Sequence, residues 1–121
     1  MLNKSQKLGV WGEDIVKKYF IRNGYKILSS NYKNYFGEID IIAKLKSKII
    51  FIEVKTRTNG KFGLPEEAVN FIKQKKLIKT AEKYILENRI KNEYQIDVVA
   101  IEKRDGEKIK LRHFKNAVRY F

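Results

Sequence analysis

Cysteine is absent from this 121-residue chain, which excludes disulfides and thiolate metal sites and fits a reducing cytosol. No run approaches the roughly 18 apolar residues that span a bilayer. The first residues, Met1 to Lys7, lead into an amphipathic segment and not into the uninterrupted apolar stretch of a signal peptide. A soluble, cytoplasmic protein with no membrane partner is therefore expected. Low-complexity stretches, internal repeats and linkers are also missing. With 43% apolar residues, the chain is expected to fold as one globular domain over residues 1–121. Acidic residues are scarce: 14 Asp and Glu stand against 27 Lys and Arg, a net charge of +13. Such a field attracts polyanions and supplies most of the sequence-independent affinity for nucleic acid, although a general bias toward Lys would produce the same excess.

The stretch Gly37 to Lys55 carries the most information. Two apolar, β-branched runs, around Ile39-Asp40-Ile41-Ile42 and Ile49-Ile50-Phe51-Ile52, flank a short polar segment, the pattern of a β-hairpin. With the turn centred between Lys46 and Ser47, opposed residues have numbers that sum to 93, which sets Asp40 against Glu53. Opposed side chains have Cβ atoms about 4.5–5.5 Å apart, and like charges there repel. Lys55 shares a face with Glu53 because side chains alternate along a strand. Two carboxylates and an amine thus converge. Hard divalent cations such as magnesium bind through one or two carboxylates while keeping waters and substrate phosphates, so a metal site for phosphate-ester chemistry is expected. The competing interpretation makes Asp40 and Glu53 solvated residues, each paired with one of the many lysines. A turn shifted by one residue would put them on opposite faces.

Residues 5–23 have helical periodicity ended by Asn23-Gly24, with Leu8, Trp11, Gly12, Ile15 and Tyr19 on one side and Val16 and Phe20 widening the stripe. Glu13 lies at the stripe's edge, able to lean toward the sheet or to pair with Lys17 at the surface. Residues 24–32 are expected to form a first strand, followed by a turn over Lys33 to Gly37. The polar segment Thr56 to Gly63 includes Arg57 and Lys61 and is suited to following a phosphate backbone, or is an ordinary connection. Pro65 suits the first turn of a helix, and Asn70 the N-cap of a longer one running to about Asn88. Phe71, Ile78, Ala81 and Ile85 make its inner face, with Leu77 and Tyr84 alongside. Gln74, in the middle of that face, points at the carboxylate cluster or makes an internal structural bond. Lys75, Lys76, Lys79 and Lys83 form a phosphate-facing ridge or a solvated face. Residues 93–101 are expected as a buried strand, Arg104 to Glu107 as a hairpin turn, Lys108 to Phe114 as an outer strand, and Asn116 to Phe121 as a short closing helix. His113 is taken as a strand residue and not as a catalytic base. The order is α-β-β-β-α-β-β, a mixed α/β (α+β) sheet flanked by helices.

This pattern resembles the PD-(D/E)xK nuclease superfamily, with its restriction-endonuclease-like core. Asp40 matches the acidic position and Glu53-Val54-Lys55 the (D/E)-x-K element, while Ile39 stands where the superfamily label has proline. Glu13 on the first helix resembles the extra acid of the archaeal Holliday-junction resolvase branch. Nearly the whole chain is similar to the YraN family of small bacterial proteins, through Trp11-Gly12-Glu13, Gly24-Tyr25-Lys26-Ile27-Leu28, Gly37-Glu38-Ile39-Asp40, Phe51-Ile52-Glu53-Val54-Lys55-Thr56-Arg57, Lys73-Gln74 and Ile96-Asp97-Val98-Val99-Ala100-Ile101. The resemblance implies a metal-dependent endonuclease acting on phosphodiester bonds in DNA, branched or structured DNA among its substrates. Asp40, Glu53, the Val54 carbonyl and Glu13 would hold Mg²⁺ or Mn²⁺, and Lys55 would position water or neutralise phosphate charge. Arg57, Lys61, Lys73, Gln74, Lys75 and Lys76 would contact nucleic acid. Relatives with this core often act as homodimers on two-fold substrates. Two alternatives stand beside this: a non-catalytic nucleic-acid-binding module with a vestigial or structural metal site, and a protein-interaction domain whose charge is incidental.

Overall fold

The computed structural model describes residues 1–58, 70–104 and 108–118. In chain order these form α1 (Lys4–Arg22), β1 (Lys26–Asn34), β2 (Gly37–Leu45), β3 (Lys48–Thr58), α2 (Phe71–Glu87), β4 (Tyr94–Lys103) and β5 (Ile109–Val118). The strands make a single five-stranded mixed sheet in the order β1-β2-β3-β4-β5, the α-β-β-β-α-β-β arrangement of a restriction-endonuclease-like core. β1, β2 and β3 are an antiparallel meander. The chain then passes through α2 and returns as β4, parallel to β3, before β5 closes antiparallel to β4. Among the described residues no helix is long and apolar enough to cross a membrane.

The helices cover opposite faces of the sheet, and each face has its own core. On the α1 side Val16 and Phe20 pack with Ile41, Ala43, Ile50, Ile52, Val99 and Ile101. On the α2 side Leu77, Ile78 and Ala81 pack with Ile39, Ile42, Ile49, Phe51, Ile96, Val98 and Val118. β3 and β4 are apolar on both faces because they lie in the middle of the sheet, covered from both sides. α1 begins at a capping box in which Asn3 and Gln6 exchange hydrogen bonds of 2.8 and 3.0 Å. Asn70 caps α2 by accepting the Lys73 N–H at 2.9 Å.

Several elements depart from the sequence-based expectation. The buried stripe of α1 is Gly12, Val16 and Phe20, one step round from the expected centre, because Gly12 allows the helix to settle against β3: a Cβ there would collide with Thr56 and crowd Ile101. The turn expected over Lys33 to Gly37 shrinks to Tyr35 and Phe36, since β1 runs on to Asn34. Phe71 is not part of the inner face of α2; it is 50% exposed, with the Lys75 ammonium 4.6 Å from its ring centre. Instead, Thr80 is fully buried and bonds back to the Lys76 carbonyl at 2.7 Å. No helix begins at Asn116, because β5 continues to Val118. Asn116 takes φ 51° and gives its N–H to the Asp97 carboxylate at 2.8 Å, after which Val118 pairs with Ile96 and enters the core. Pro65, most of the Arg104 to Glu107 turn and residues 119–121 lie outside the described residues, although the Arg104 N–H reaches the Lys108 carbonyl at 2.8 Å.

Candidate active site

The hairpin register places the two acids. β2 and β3 pair from Leu45↔Lys48 to Ile41↔Ile52, every pair summing to 93, so the next position in that register sets Asp40 against Glu53. There the two strands part: β2 stays with β1 as far as Gly37, while β3 stays with β4 as far as Thr58. Continued pairing would bring Val54 opposite Ile39. Instead the Val54 N–H donates to Asp40 Oδ2 at 2.8 Å, so a carboxylate takes the place of the missing backbone acceptor. Strand alternation also breaks at this level. Ile39 and Ile42 pack on the α2 side while Ile41 and Ala43 pack on the α1 side, which strict two-residue periodicity forbids. Asn31, between the Ser30↔Ile41 and Tyr32↔Ile39 pairs, has φ 53° and accommodates the change on β1.

Glu53 is 4% exposed. Its Oε2 lies 3.5 Å from Lys55 Nζ and 3.3 Å from Lys73 Nζ, the latter reaching over from the first turn of α2. Asp40 titrates far from the ordinary carboxyl range, at about 8. Burial is the largest cause, followed by the negative charge of Glu53 and a hydrogen bond shared with it; the Val54 N–H opposes them, and Glu13 adds a further upward push. Glu13 itself is raised, first by burial, against Lys17, and then by the charges of Glu53 and Glu38. It leans toward the cluster from α1, whereas Asp14, one residue on, pairs with Lys18 at 3.3 Å on the exposed side.

Among the described residues no group of three or more His, Cys, Asp or Glu is placed to hold a metal ion. The donor set is therefore the Asp40 and Glu53 pair, with the Val54 carbonyl turned to the same strand edge as its N–H. This fits a hard divalent cation, which takes one or two carboxylates and fills its remaining positions with water or phosphate. A buried carboxyl pair that must retain a proton to avoid self-repulsion is also a place where a cation is electrostatically favoured.

The expected phosphate contacts are distributed unevenly. Lys73 is half-buried on Glu53. Lys75 and Lys76 are exposed on α2, Gln74 is half-buried beside them, and Arg57 is half-buried with Nη1 donating to the Thr56 carbonyl at 2.8 Å. Lys61 lies outside the described residues. One cluster was not foreseen. Asp97, with no exposed surface, accepts from Gln95 at 2.8 Å and contacts His113 Nε2 at 2.7 Å, and His113 Nδ1 lies 3.1 Å from the Tyr19 hydroxyl on α1. The signal was an acid inside the apolar run Ile96 to Ile101, which demanded buried donors.

The model of the family described as "Uncharacterised protein family UPF0102" matches residues 12–101 of this chain, a span that contains α1 from Gly12, both acids and β4 through Ile101. A UPF0102 protein of Clostridium beijerinckii is 42% identical over 117 residues, covering 95% of each chain. One from Caldanaerobacter subterraneus subsp. tengcongensis is 46% identical over 116 residues, covering 91% of this chain and 93% of that protein. Among solved structures, SfsA of Pyrococcus furiosus in complex with Ca²⁺ aligns with 96% of this chain and 65% of its own, at 13% identity and a TM-score of 0.43.

Proposed function

The chain belongs to the UPF0102 family, and we propose from its site that it is a divalent-metal-dependent nuclease hydrolysing phosphodiester bonds in DNA, branched or structured DNA included. The observation that carries this reading is the burial of Asp40 and the charge of Glu53 beside it, which together push the Asp40 carboxyl up to about 8. Such a pair costs stability unless a cation is its purpose.

Asp40, Glu53 and the Val54 carbonyl would hold Mg²⁺ or Mn²⁺. When bound, the ion supplies Lewis-acid stabilisation of phosphoryl charge and acidifies water. Lys55, fixed 3.5 Å from Glu53, sets a preorganised positive charge in a partly desolvated pocket, where it counts most against charge growing on the phosphate. Glu13 acts at one remove, its charge favouring a cation and orienting water. Lys73, Lys75, Lys76 and Arg57 would hold the phosphate backbone and fix its register without reading sequence.

A second reading, a binding module that grips nucleic acid without cutting it, is favoured by one feature: two ammonium groups already sit on Glu53. A cleavage assay over single-stranded, duplex and branched DNA, with and without Mn²⁺ and with Glu53→Gln as control, separates the two. Metal-dependent cutting lost in Glu53→Gln supports the nuclease. Salt-sensitive binding with no cutting in Mg²⁺ or Mn²⁺ replaces it with the module.

A further inference from the structure

Tyr35 is 93% exposed and Phe36 38% exposed, and together they form the whole loop between β1 and β2, because Asn34 pairs directly with Gly37. Two-residue hairpin loops favour Asn, Asp and Gly, which accept positive φ. Neither Tyr35 nor Phe36 adopts positive φ; the adjoining Gly37, at φ 154°, takes that conformation. Turn propensity therefore does not account for the aromatics, and neither does burial. Nor is the loop loosely held. Asn34 accepts the Phe36 N–H at 2.9 Å and donates to the Tyr32 hydroxyl at 3.0 Å and to the Thr80 carbonyl of α2 at 3.1 Å. Three hydrogen bonds of one side chain thus fix the turn, one of them tying it to α2, while its rings meet edge to face at 5.4 Å, within the usual range of about 4.5–7 Å.

The turn stands beside the proposed site. Gly37 begins the strand that reaches Asp40 three residues later, about 10 Å away at strand rise. A Cβ at Gly37 would touch Thr80 and Lys76, and Lys76 lies one helical turn beyond Lys73, which contacts Glu53. An open hollow of about 230 Å³, lined by Lys33, Asn34, Tyr35, Phe36, Gly37 and Glu38, flanks the rings. Its size suits one base and not a duplex. Glu38 pairs with Lys33 at 4.0 Å, and the exposed Lys75 and Lys76 keep the neighbouring helix face cationic.

We infer that Tyr35 and Phe36 are a stacking platform for unpaired nucleobases, which selects DNA with a single-stranded segment within a few nucleotides of the scissile phosphate. Bases stack on exposed aromatic rings whatever their identity, and cationic side chains alongside track the backbone. A strand rising about 3.4 Å per nucleotide when stacked, and more when extended, covers the distance from Gly37 to Asp40 in about three nucleotides or fewer. This inference rests on the nuclease reading only for where the cut phosphate lies.

The test measures binding in EDTA by fluorescence anisotropy, so that it does not depend on cleavage. The probes are a labelled single strand, the same sequence as blunt duplex, and that duplex with a single-stranded flap. Tighter binding of the strand and flap than of blunt duplex is expected. Tyr35→Ala with Phe36→Ala should lose about five- to a hundredfold on those two probes and nothing on blunt duplex, while Tyr35→Trp retains the preference. The inference is overturned by unchanged binding in the double variant or by equal loss on all three probes. It is equally overturned if the only change is from dimer to monomer in sedimentation, which would make the rings a contact with a second copy. Aromatic-dependent binding without any cutting would remove the nuclease reading and leave the platform; cutting without aromatic dependence would do the reverse.

Discussion

Asp40 Oδ2 accepts the Val54 N–H at 2.8 Å, which makes the carboxylate a substitute for main chain at the point where β2 and β3 separate. The bond fixes Asp40, buried, beside Glu53, and burial first and the Glu53 charge second hold its carboxyl in the protonated form. Metal-free stability should therefore fall with pH. Asp40 has a folded pKa of about 8 against an ordinary 3.8. Below the lower value both folded and unfolded chains are protonated, and the stability is fully present. Between the two values only the folded chain keeps the proton, so stability declines as pH rises toward 8 and levels off above it. Asp40→Asn keeps an acceptor for Val54 and removes the charge. It should melt as the wild type does at pH 4 and about 4 °C or more above it at pH 8.5, equivalent to about 1 kcal/mol. Thermal melts in EDTA at the two pH values check this.

Metal binding should expel that proton. A divalent ion requires both carboxylates ionised, so apparent Mn²⁺ affinity should climb by up to about tenfold per pH unit between pH 6 and 8 and then flatten. Calorimetric titration in two buffers of different ionisation enthalpy should count close to one proton released at pH 7. Affinity independent of pH, with no proton released, would mean that Asp40 is not a ligand.

The two lysines on Glu53 should separate by function. Lys73 comes from α2 and is the more exposed of the two, and it competes with a cation for the same oxygen. Lys73→Met should tighten Mn²⁺ binding several-fold while weakening DNA. Lys55 lies on the strand itself. Lys55→Met should leave metal binding in place and lower kcat by about a hundredfold or more, the usual cost of deleting one preorganised transition-state charge. Single-turnover cleavage together with metal titration distinguishes the outcomes.

His113 tests the reverse case, a titratable side chain with a structural job. It is held between Asp97 and Tyr19 on the α1 side, where Asp97 pairs with Ile52, while Glu53 projects to the side of Lys73 and α2. His113→Gln should cut DNA at the wild-type rate. Asp97→Ala should cost about 3 kcal/mol by removing the fully buried carboxylate that accepts from Gln95 and from the Asn116 N–H and holds His113, a loss read from urea unfolding.

Local periodicity and covalent spacing made the central hairpin, the two caps of α2 and the apposition of Asp40 with Glu53 legible, because a two-residue strand period and a single turn position set the hairpin and Asn70 and Asn88 mark the helix ends by their own chemistry. Contacts between distant segments were not legible. Phe71 matches the helical stripe of α2 but is 50% exposed, with the Lys75 ammonium over its ring. A short closing helix is expected from Asn116, whereas the buried Asp97 carboxylate, 19 residues earlier, accepts the Asn116 N–H and β5 runs on to Val118. The reversal of alternation at Asp40 has no signature in a pattern of Ile residues that reads equally well on either face.

Gly12 links the helix to the site and supplies the most stringent test of how Glu13 acts. Its missing side chain lets α1 close on β3, where a Cβ would meet Thr56 and Ile101. Gly12→Ala should ordinarily gain helix propensity of up to about 1 kcal/mol, but here overpacking of about 1–3 kcal/mol opposes it, so net destabilisation is expected. Thr56→Ala in the same chain removes both the hydroxyl that a Cβ would collide with and the methyl that it would crowd, and should recover part of the loss. If Glu13 influences the acids through space, moving α1 outward also relieves its charge on Asp40. The pH at which Mn²⁺ affinity levels off should then move downward in Gly12→Ala and in Glu13→Gln alike, while Asp14→Asn, on the exposed side of the same helix, leaves it where it was.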